Sequence, residues 1–328
     1  MADQWLVGVD VGGTTIKIAF ISDSGEIHHK WEIPTDKRDQ GNHIPSQIAL
    51  AINEKLREIG ETKNKLSAIG IGAPGPVNDA DGSVEIAVNL GWSNFPLKER
   101  LVLETSLPVT VDNDANVAAI GEMWKGAGEG AKDLLLVTLG TGVGGGVIAN
   151  GEIVHGVNGA GGELGHITTV PEGGFPCNCG KTGCLETMAS ATGVVRLAMK
   201  ALESRDEPSL LRDIYGEEKK LTSKQIFEAA QENDRLALEV VQELAFHLGL
   251  ALANSANVLN PQKIVIGGGV SKAGDTLLNP VRDEFQRFAF PRVSAGAEVM
   301  MARMGNDAGI LGAAWLAKTQ MKTIIQYI

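Results

Sequence analysis

The sequence predicts an α/β protein made by doubling one structural unit into two domains. Three observations carry this. A strand, a glycine-rich turn and a second strand open the chain at residues 5–21 and recur at 134–149, with Thr138 in the place of Asp10. Each opening is followed later by a strand that runs into glycine, Ile69-Gly70-Ile71-Gly72 in the first half and Ile264-Val265-Ile266-Gly267-Gly268-Gly269 in the second. Repetition of a whole supersecondary pattern is the mark of duplication. Finally, 328 residues suit two domains at about 100–200 residues each. The expected division is 1–118 plus 305–328 as a small domain and 119–304 as a large one.

The elements follow in order. Trp5-Leu6-Val7-Gly8-Val9-Asp10 is a nearly continuous apolar run and reads as a buried strand. Gly12-Gly13-Thr14-Thr15 turns the chain, residues 16–21 resume strand chemistry, and Ser24-Gly25 turns it again, which describes a hairpin. Residues 46–59 place Ile48, Leu50, Ala51, Ile52, Leu56 and Ile59 at helical spacing. Strand 69–72 ends in Ala73-Pro74-Gly75-Pro76. Strand 108–111 ends in Asp112-Asn113-Asp114, residues able to cap a helix over 115–124. In the second half, strand 134–138 leads to the turn Gly140-Thr141-Gly142, strand 145–149, the turn Asn150-Gly151 and strand 152–155. Helices are predicted at 223–232 and 234–259. A last one, at 307–319, is rich enough in Gly and Ala to approach a sheet closely.

The net charge of −11 argues against a nucleic-acid binder, which would show a basic face. It does not exclude a nucleotide, whose phosphates are met by backbone N–H groups and a bound cation. The hydrophobic share of 43% and charged share of 21% are those of a globular chain with a sizeable core. No apolar run approaches the ~18 residues that would span a bilayer, and Met1-Ala2-Asp3-Gln4 lacks the basic start of a signal peptide. The three cysteines, Cys177, Cys179 and Cys184, crowd into one short stretch. That is a poor disulfide framework and a good set of metal ligands for a reducing cytoplasm.

Two motifs mislead. Gly140-x-Gly142-x-x-Gly145 matches a dinucleotide fingerprint, and Glu163 stands near the expected acid position, but a strand rather than a helix follows. Gly180-Lys181-Thr182 suggests a phosphate loop, yet its required first glycine falls on Phe175. The better signals are the three glycine turns at 12–15, 140–146 and 267–269. Glycine lets a phosphate approach the backbone, and Thr hydroxyls add donors. Asp10, at a strand end, suits Mg²⁺, normally through water. His166 with Cys177, Cys179 and Cys184 makes a closed set of four ligands for a structural Zn²⁺. Glu163 and Glu186 flank that set, and two carboxylates suit adjacent sugar hydroxyls. Asp114 reads either as a helix N-cap or as a reactive acid, with Asp112 as its rival.

Together, Asp10-x-Gly-Gly-Thr14, Gly72-Ala-Pro-Gly-Pro76, Asn113-Asp-Ala-Asn116, Leu139-Gly-Thr-Gly-Val-Gly-Gly-Gly146, Gly161-Gly-Glu-Leu-Gly-His166 and Cys177-x-Cys-Gly-x-x-Gly-Cys-x-Glu186 resemble the ROK family of repressors, open reading frames and kinases. The resemblance runs from residue 5 to about 317. Asn89-Leu90-Gly91-Trp92, Gly121-Glu-Met-Trp-Lys-Gly126 and Gly305-Asn-Asp-Ala-Gly309 bring it nearest to the family's glucokinases of Bacillus-type bacteria. It implies the actin-like ATPase (ribonuclease H-like) fold, two α/β domains around a cleft, and transfer of the γ-phosphoryl of ATP to the 6-hydroxyl of glucose. It also implies Mg²⁺, a structural Zn²⁺ and a homodimer in the cytoplasm.

Carried over by motif, Asp114 and not Asp112 is the general base. Gly75, Asn89, Asn113, Asp114, Glu163, His166 and Glu186 bind the sugar. Asp10, Gly12, Gly13, Thr14, Thr15, Lys17, Thr138, Gly140, Thr141, Gly142, Gly267, Gly268 and Gly269 bind the nucleotide and its Mg²⁺. His166 is expected to serve metal and sugar with different ring nitrogens. The rivals are another hexose (fructose, mannose, allose, N-acetylmannosamine), polyphosphate as donor, a non-catalytic sugar-binding module, and a repressor, for which no helix-turn-helix precedes the first strand.

Overall fold

The computed structural model describes residues 4–326. The chain divides into two compact units. One holds the chain up to Gly130, Ile153–Gly161, and everything from Met304 onward; the other holds Ala131–Glu152 and Gly162–Arg303. The boundary expected at residue 118 lies elsewhere because a helix runs unbroken over Asp114–Lys125. Cutting it would sever its backbone hydrogen bonds. The stretch Ile153–Gly161, expected in the second domain, belongs to the first unit.

The first unit runs β1 (Trp5–Val11), β2 (Thr15–Ile21), β3 (Ile27–Pro34), α1 (Ile44–Glu58), β4 (Leu66–Ala73), β5 (Val84–Ala87), β6 (Trp92–Phe95), α2 (Leu97–Thr105), β7 (Val109–Asn113) and α3 (Asp114–Lys125). The chain continues through β8 (Leu134–Leu139), β9 (Val143–Ala149), β10 (Glu152–Ile153), α4 (Glu186–Ala189), α5 (Ala191–Ser204), α6 (Leu210–Glu218), α7 (Ser223–Gln231), α8 (Arg235–Leu259), β11 (Lys263–Gly267), α9 (Asp275–Phe288), α10 (Pro291–Gly296) and β12 (Glu298–Met301). It returns to the first unit as α11 (Ala308–Gln326).

The two main sheets have matching orders, β3-β2-β1-β4-β7 and β10-β9-β8-β11-β12. In each, a hairpin supplies the antiparallel pair, and two further strands join in parallel. The register repeats as well. Asp10 faces Lys17 on one side and Gly72 on the other; Thr138 faces Gly144 and Gly267. The duplication read from the sequence is therefore present residue for residue at the strand ends.

Strand alternation sorts β1 between two layers. Trp5, Val7, Val9 and Val11 enter one core, whereas Leu6 packs with Ile310 and Ala314 of α11. On the α11 side the sheet has glycines. A Cβ on Gly8 would lie 2.0 Å from the Ile310 carbonyl oxygen, and one on Gly70 only 1.7 Å from that of Ala313. Where α11 meets α3, a Cβ on Gly312 would lie 1.6 Å from the Val117 carbonyl oxygen. The last helix is rich in Gly and Ala because backbone meets backbone along it.

The second unit has its own core, centred on α8 with Leu236, Val240, Val241, Leu244 and Leu248. Among the described residues α8 is the one helix long and apolar enough to cross a membrane. Glu239 and Glu243 interrupt its apolar run in the sequence, and most of its apolar residues are buried in this core, with Leu238, Val258 and Leu259 exposed.

Gly312→Ala tests the helix contact. Helix propensity alone favours Ala by about 1 kcal/mol. Overpacking costs about 1–3 kcal/mol, and a backbone carbonyl cannot rotate aside as a side chain does. We expect a lower midpoint of urea unfolding; a midpoint unchanged or raised would show that α3 and α11 have room to part.

Candidate active site

The first unit presents two clusters. One is the β1–β2 turn. Gly12 N donates to Thr15 O at 3.0 Å, and Thr35 pins the turn from outside through Thr35 N to Thr14 O (2.9 Å) and Thr35 Oγ1 to Gly12 O (2.7 Å). Asn89 and Lys37 approach Gly13. Asp10 stands 3.6 Å from Lys17 Nζ. Burial raises the Asp10 carboxyl above its usual range, and Lys17 partly opposes the rise. The start of α11 abuts this acid, since a Cβ on Gly309 would meet the Asp10 carboxylate at 2.9 Å. A half-buried carboxylate that is costly to ionise is a fitting ligand for a hard cation.

The other cluster is the β7–α3 junction. Asn113 is the N-cap of α3, its Oδ1 accepting from Ala115 N (2.9 Å) and Asn116 N (3.4 Å). The cap that the sequence allowed for Asp114 thus belongs to its neighbour. Asn113 Nδ2 donates to Gly75 O at 3.0 Å. Gly75 has φ 88°, and a Cβ there would stand 1.9 Å from the Ile86 carbonyl oxygen, so glycine is required.

Asp112 and Asp114 part company at this junction because the strand ends and the helix begins between them. Asp112 is buried, with Oδ1 accepting from Asn113 N (2.7 Å) and Asn116 Nδ2 (2.9 Å) and Oδ2 from His155 Nε2 (2.8 Å). Asp114 is exposed at the first turn of α3, where Ala115 N donates to its Oδ1. The helix dipole favours its ionised form.

In the second unit two glycine turns converge. Gly140 N donates to Gly142 O (2.9 Å), and α5 anchors the turn through Ala191 N to Gly140 O (2.8 Å) and Thr192 Oγ1 to Thr141 O (2.9 Å). Gly268, at φ 85°, lies so close to Leu139 that a Cβ would stand 2.5 Å from its backbone N and O. This brings residues 267–269 beside Thr138 and Gly140. A cavity of about 310 Å³ opens next to them, lined by Gly269, Val270, Lys272 and Ala273 with Lys224, Phe227 and Gln231 of α7. The sequence reading missed the α7 contribution, which has no local motif.

The His/Cys cluster is assembled as the spacing suggested. Ligand atoms of His166, Cys177, Cys179 and Cys184 all lie within 4.8 Å of one another. Cys179 Sγ and Cys184 Sγ are 3.6 Å apart, and Cys177 Sγ is 3.7 Å from His166 Nδ1. Tetrahedral zinc with bonds of about 2.3 Å to sulfur needs edges of about 3.8 Å. Gly183 makes the fold-back possible, with φ 73° and no space for a Cβ against the Val170 carbonyl. Burial, then the neighbouring sulfurs, push the Cys184 thiol up to about 12. A divalent cation is what removes such a proton.

Both flanking acids border this cluster. Glu163 Oε2 is 3.8 Å from His166 Nε2, the ring nitrogen turned away from Cys177. Glu186 Oε2 accepts from Val143 N at 3.0 Å, and a Cβ on Gly142 would strike it. The cluster, the sugar-type acids and the 140–142 turn are therefore tied together within this unit. In the first unit Gly75, Asn113 and Asp114 share the β7–α3 junction, whereas Asn89 lies at the β1–β2 turn beside Gly13.

Sequence reasoning overlooked His155 altogether. Its Nε2 meets Asp112, and its Nδ1 lies 3.4 Å from Asp79 Oδ2. The hydrogen bond to Asp112 raises its titration point, burial opposes, and the two acids add to the rise.

Comparison with known proteins points to one family. The ROK family model matches residues 6–320. A glucokinase of Halalkalibacterium halodurans is 58% identical over 98% of this chain and 97% of its own. A glucokinase of Thermotoga maritima is 36% identical over 96% and 98%. The crystal structure of a ROK family glucokinase from Streptomyces griseus in complex with glucose and AMPPNP superposes with a TM-score of 0.76 at 35% identity, covering 96% of this chain and 99% of that one.

The Asp112–His155 pair makes stability depend on pH. An imidazole with a raised titration point contributes fully below its ordinary value of about 6.5 and loses that contribution as pH rises through the raised value. Hydrogen bonds between charged groups contribute about 1.5–3 kcal/mol. Asp112→Asn is therefore expected to be less stable by about 1–3 kcal/mol near pH 6, with the gap narrowing near pH 9. Denaturant unfolding at both pH values measures this; a gap that stays constant would mean the pair contributes nothing through charge.

Proposed function

The chain belongs to the ROK family, and from that membership we propose that it is an ATP-dependent glucokinase, giving glucose 6-phosphate and ADP. The carrying observation is the 58% identity to a glucokinase along nearly the whole of both chains. The fold is that of the actin-like ATPases, as in the solved ROK sugar kinases.

Phosphoryl transfer needs positioning and charge stabilisation more than covalent chemistry by the protein. Asp114 accepts the proton of the 6-hydroxyl as that oxygen attacks the γ-phosphorus. Its exposure and its place at a helix start support this role, as does the full engagement of Asp112 within the fold. Gly75, Asn89, Asn113, Glu163, His166 and Glu186 hold the sugar, with His166 Nε2 the ring nitrogen available to it. Gly12, Gly13, Thr14 and Thr15, with Thr138, Gly140, Thr141, Gly142, Gly267, Gly268 and Gly269, receive the phosphates through backbone and hydroxyl donors. The cavity beside Gly269 takes the adenosine. Asp10, with Lys17 beside it, would hold Mg²⁺, which neutralises charge on the phosphate oxygens.

His166, Cys177, Cys179 and Cys184 would hold a structural Zn²⁺, a set with no open position. Three reduced cysteines suit the cytoplasm, and a homodimer is the assembly proposed with this reading.

A coupled assay over a hexose panel tests the function. Glucose should give the highest kcat/KM, above fructose, mannose, allose and N-acetylmannosamine. Asp114→Asn should lower kcat by about 10²–10⁴ while calorimetry shows glucose binding weakened far less. Equal turnover of another hexose removes glucose from the claim, and a near-normal kcat in Asp114→Asn removes the base.

For the metal, elemental analysis should find about one zinc per chain, because metal binding to such a set is folding free energy. Cys179→Ser should lose metal and thermal stability together. A zinc-free protein melting at the same temperature would end the structural assignment.

A further inference from the structure

Asp112 grips the turn bearing Asp114 from both ends. Its Oδ1 takes the Asn113 amide just before Asp114 and the Asn116 side chain just after it. One oxygen leaves the carboxylate free to swing, and the second is fixed by His155 Nε2. His155 is fixed in turn by Asp79 at its other nitrogen and by its own loop, which Gly161 N closes onto His155 O at 2.7 Å. That loop has no slack. A Cβ on Gly161 would strike the Val154 carbonyl at 2.1 Å, and Gly159, at φ 70°, lies against Val77. The stretch enters from Glu152 and leaves for Gly162, both residues of the other unit.

The secondary structure here does not need this arrangement. β7 is already paired with β4 along its length, and α3 is already capped by Asn113. What the chain Asp79–His155–Asp112 adds is orientation of a single turn. Resting on the assignment of Asp114 as the base, we infer that His155 is a positioning residue. Bridging Asp112 and Asp79, it locks the Asp112 carboxylate and through it the turn 113–116 that presents Asp114. The bridge requires the imidazolium, since Nε2 is hydrogen-bonded to Asp112 while Nδ1, 3.4 Å from Asp79 Oδ2, attracts that carboxylate only when the ring is charged. The charged groups facing it are Asp112, from β7, and Asp79, from the loop between β4 and β5. Once His155 loses its proton, Nε2–H can still serve Asp112, but Nδ1 becomes an acceptor facing the Asp79 carboxylate, and the ring that holds Asp112 is no longer fixed from its other side.

The test uses the full chain with glucose, ATP and Mg²⁺. His155→Gln keeps one donor but cannot bridge. We expect kcat to fall about 10- to 100-fold, as for a small misplacement of a reacting group, with glucose KM changed far less. The wild-type decline of kcat at alkaline pH should vanish in this variant. In an Asp114→Asn background, His155→Gln should cost little more, because both act on one step. Asp79→Asn alters a carboxylate that is 53% exposed and is the milder variant. It should lower the His155 titration point, followed by imidazole NMR, and move the alkaline limb of kcat by the same amount.

Full additivity with Asp114→Asn overturns the inference, as does an alkaline limb that ignores the His155 titration. If those results come from a chain active on glucose, they sink the inference alone. A chain inactive on every hexose sinks the glucokinase reading and this with it.

Discussion

Helix α11 rests on β1, β4 and α3 with no space for a Cβ at the crossing points, and much of the first unit depends on that closeness. Gly8 and Gly70 admit the helix onto the sheet, and Gly312 admits it against α3. The same helix begins at Asp10, where Gly309 lies against the acid. Its position thus decides how deeply the Asp10 carboxylate is buried, and burial is what raises its titration point. A structural contact of glycines so becomes the electrostatic setting of the proposed cation ligand.

Close approach also organises the second unit, by means of turns rather than a helix. Gly268 seats one glycine turn on Leu139, and Gly142 lets Glu186 reach the Val143 amide. Gly183 folds the cysteine stretch back on Val170. Because Glu186 follows Cys184 by two residues, the loop that brings the sulfurs together also delivers an acid to the phosphate-type turn. A metal in the cluster would stiffen both at once, which is the work of a structural site.

Electrostatics separates two acids that chain distance leaves alike. Asp112 and Asp114 are two residues apart, yet one is the buried acceptor of three donors and the other is exposed at a helix start. A buried charge is tolerated when it is paired and hydrogen-bonded, so Asp112 needs His155. Asp114, at the surface, needs no such burial-compensating network, which fits the role of base proposed for it.

Much of this was legible in the residues. The duplication showed as repeated strand–turn–strand patterns, and the β1–β2 and β8–β9 hairpins follow it. The clustering of the three cysteines showed in their spacing, and the closeness of α11 in its Gly and Ala content. These are local signals, carried by neighbours along the chain. Less legible were the β5–β6 hairpin and α4, each only four residues per element and too short to set a period, and α9, whose apolar face is periodic but carries Pro280, a residue that reads as a helix breaker. The tertiary structure alone decided that Asn113 caps α3, that Ile153–Gly161 joins the first unit, that α7 lines the cavity beside Gly269, and that His155 holds Asp112 from 43 residues away. Propensity and periodicity describe what a residue does with its neighbours in sequence. A hydrogen bond between distant residues depends on where two whole elements come to lie, and no local pattern encodes that meeting.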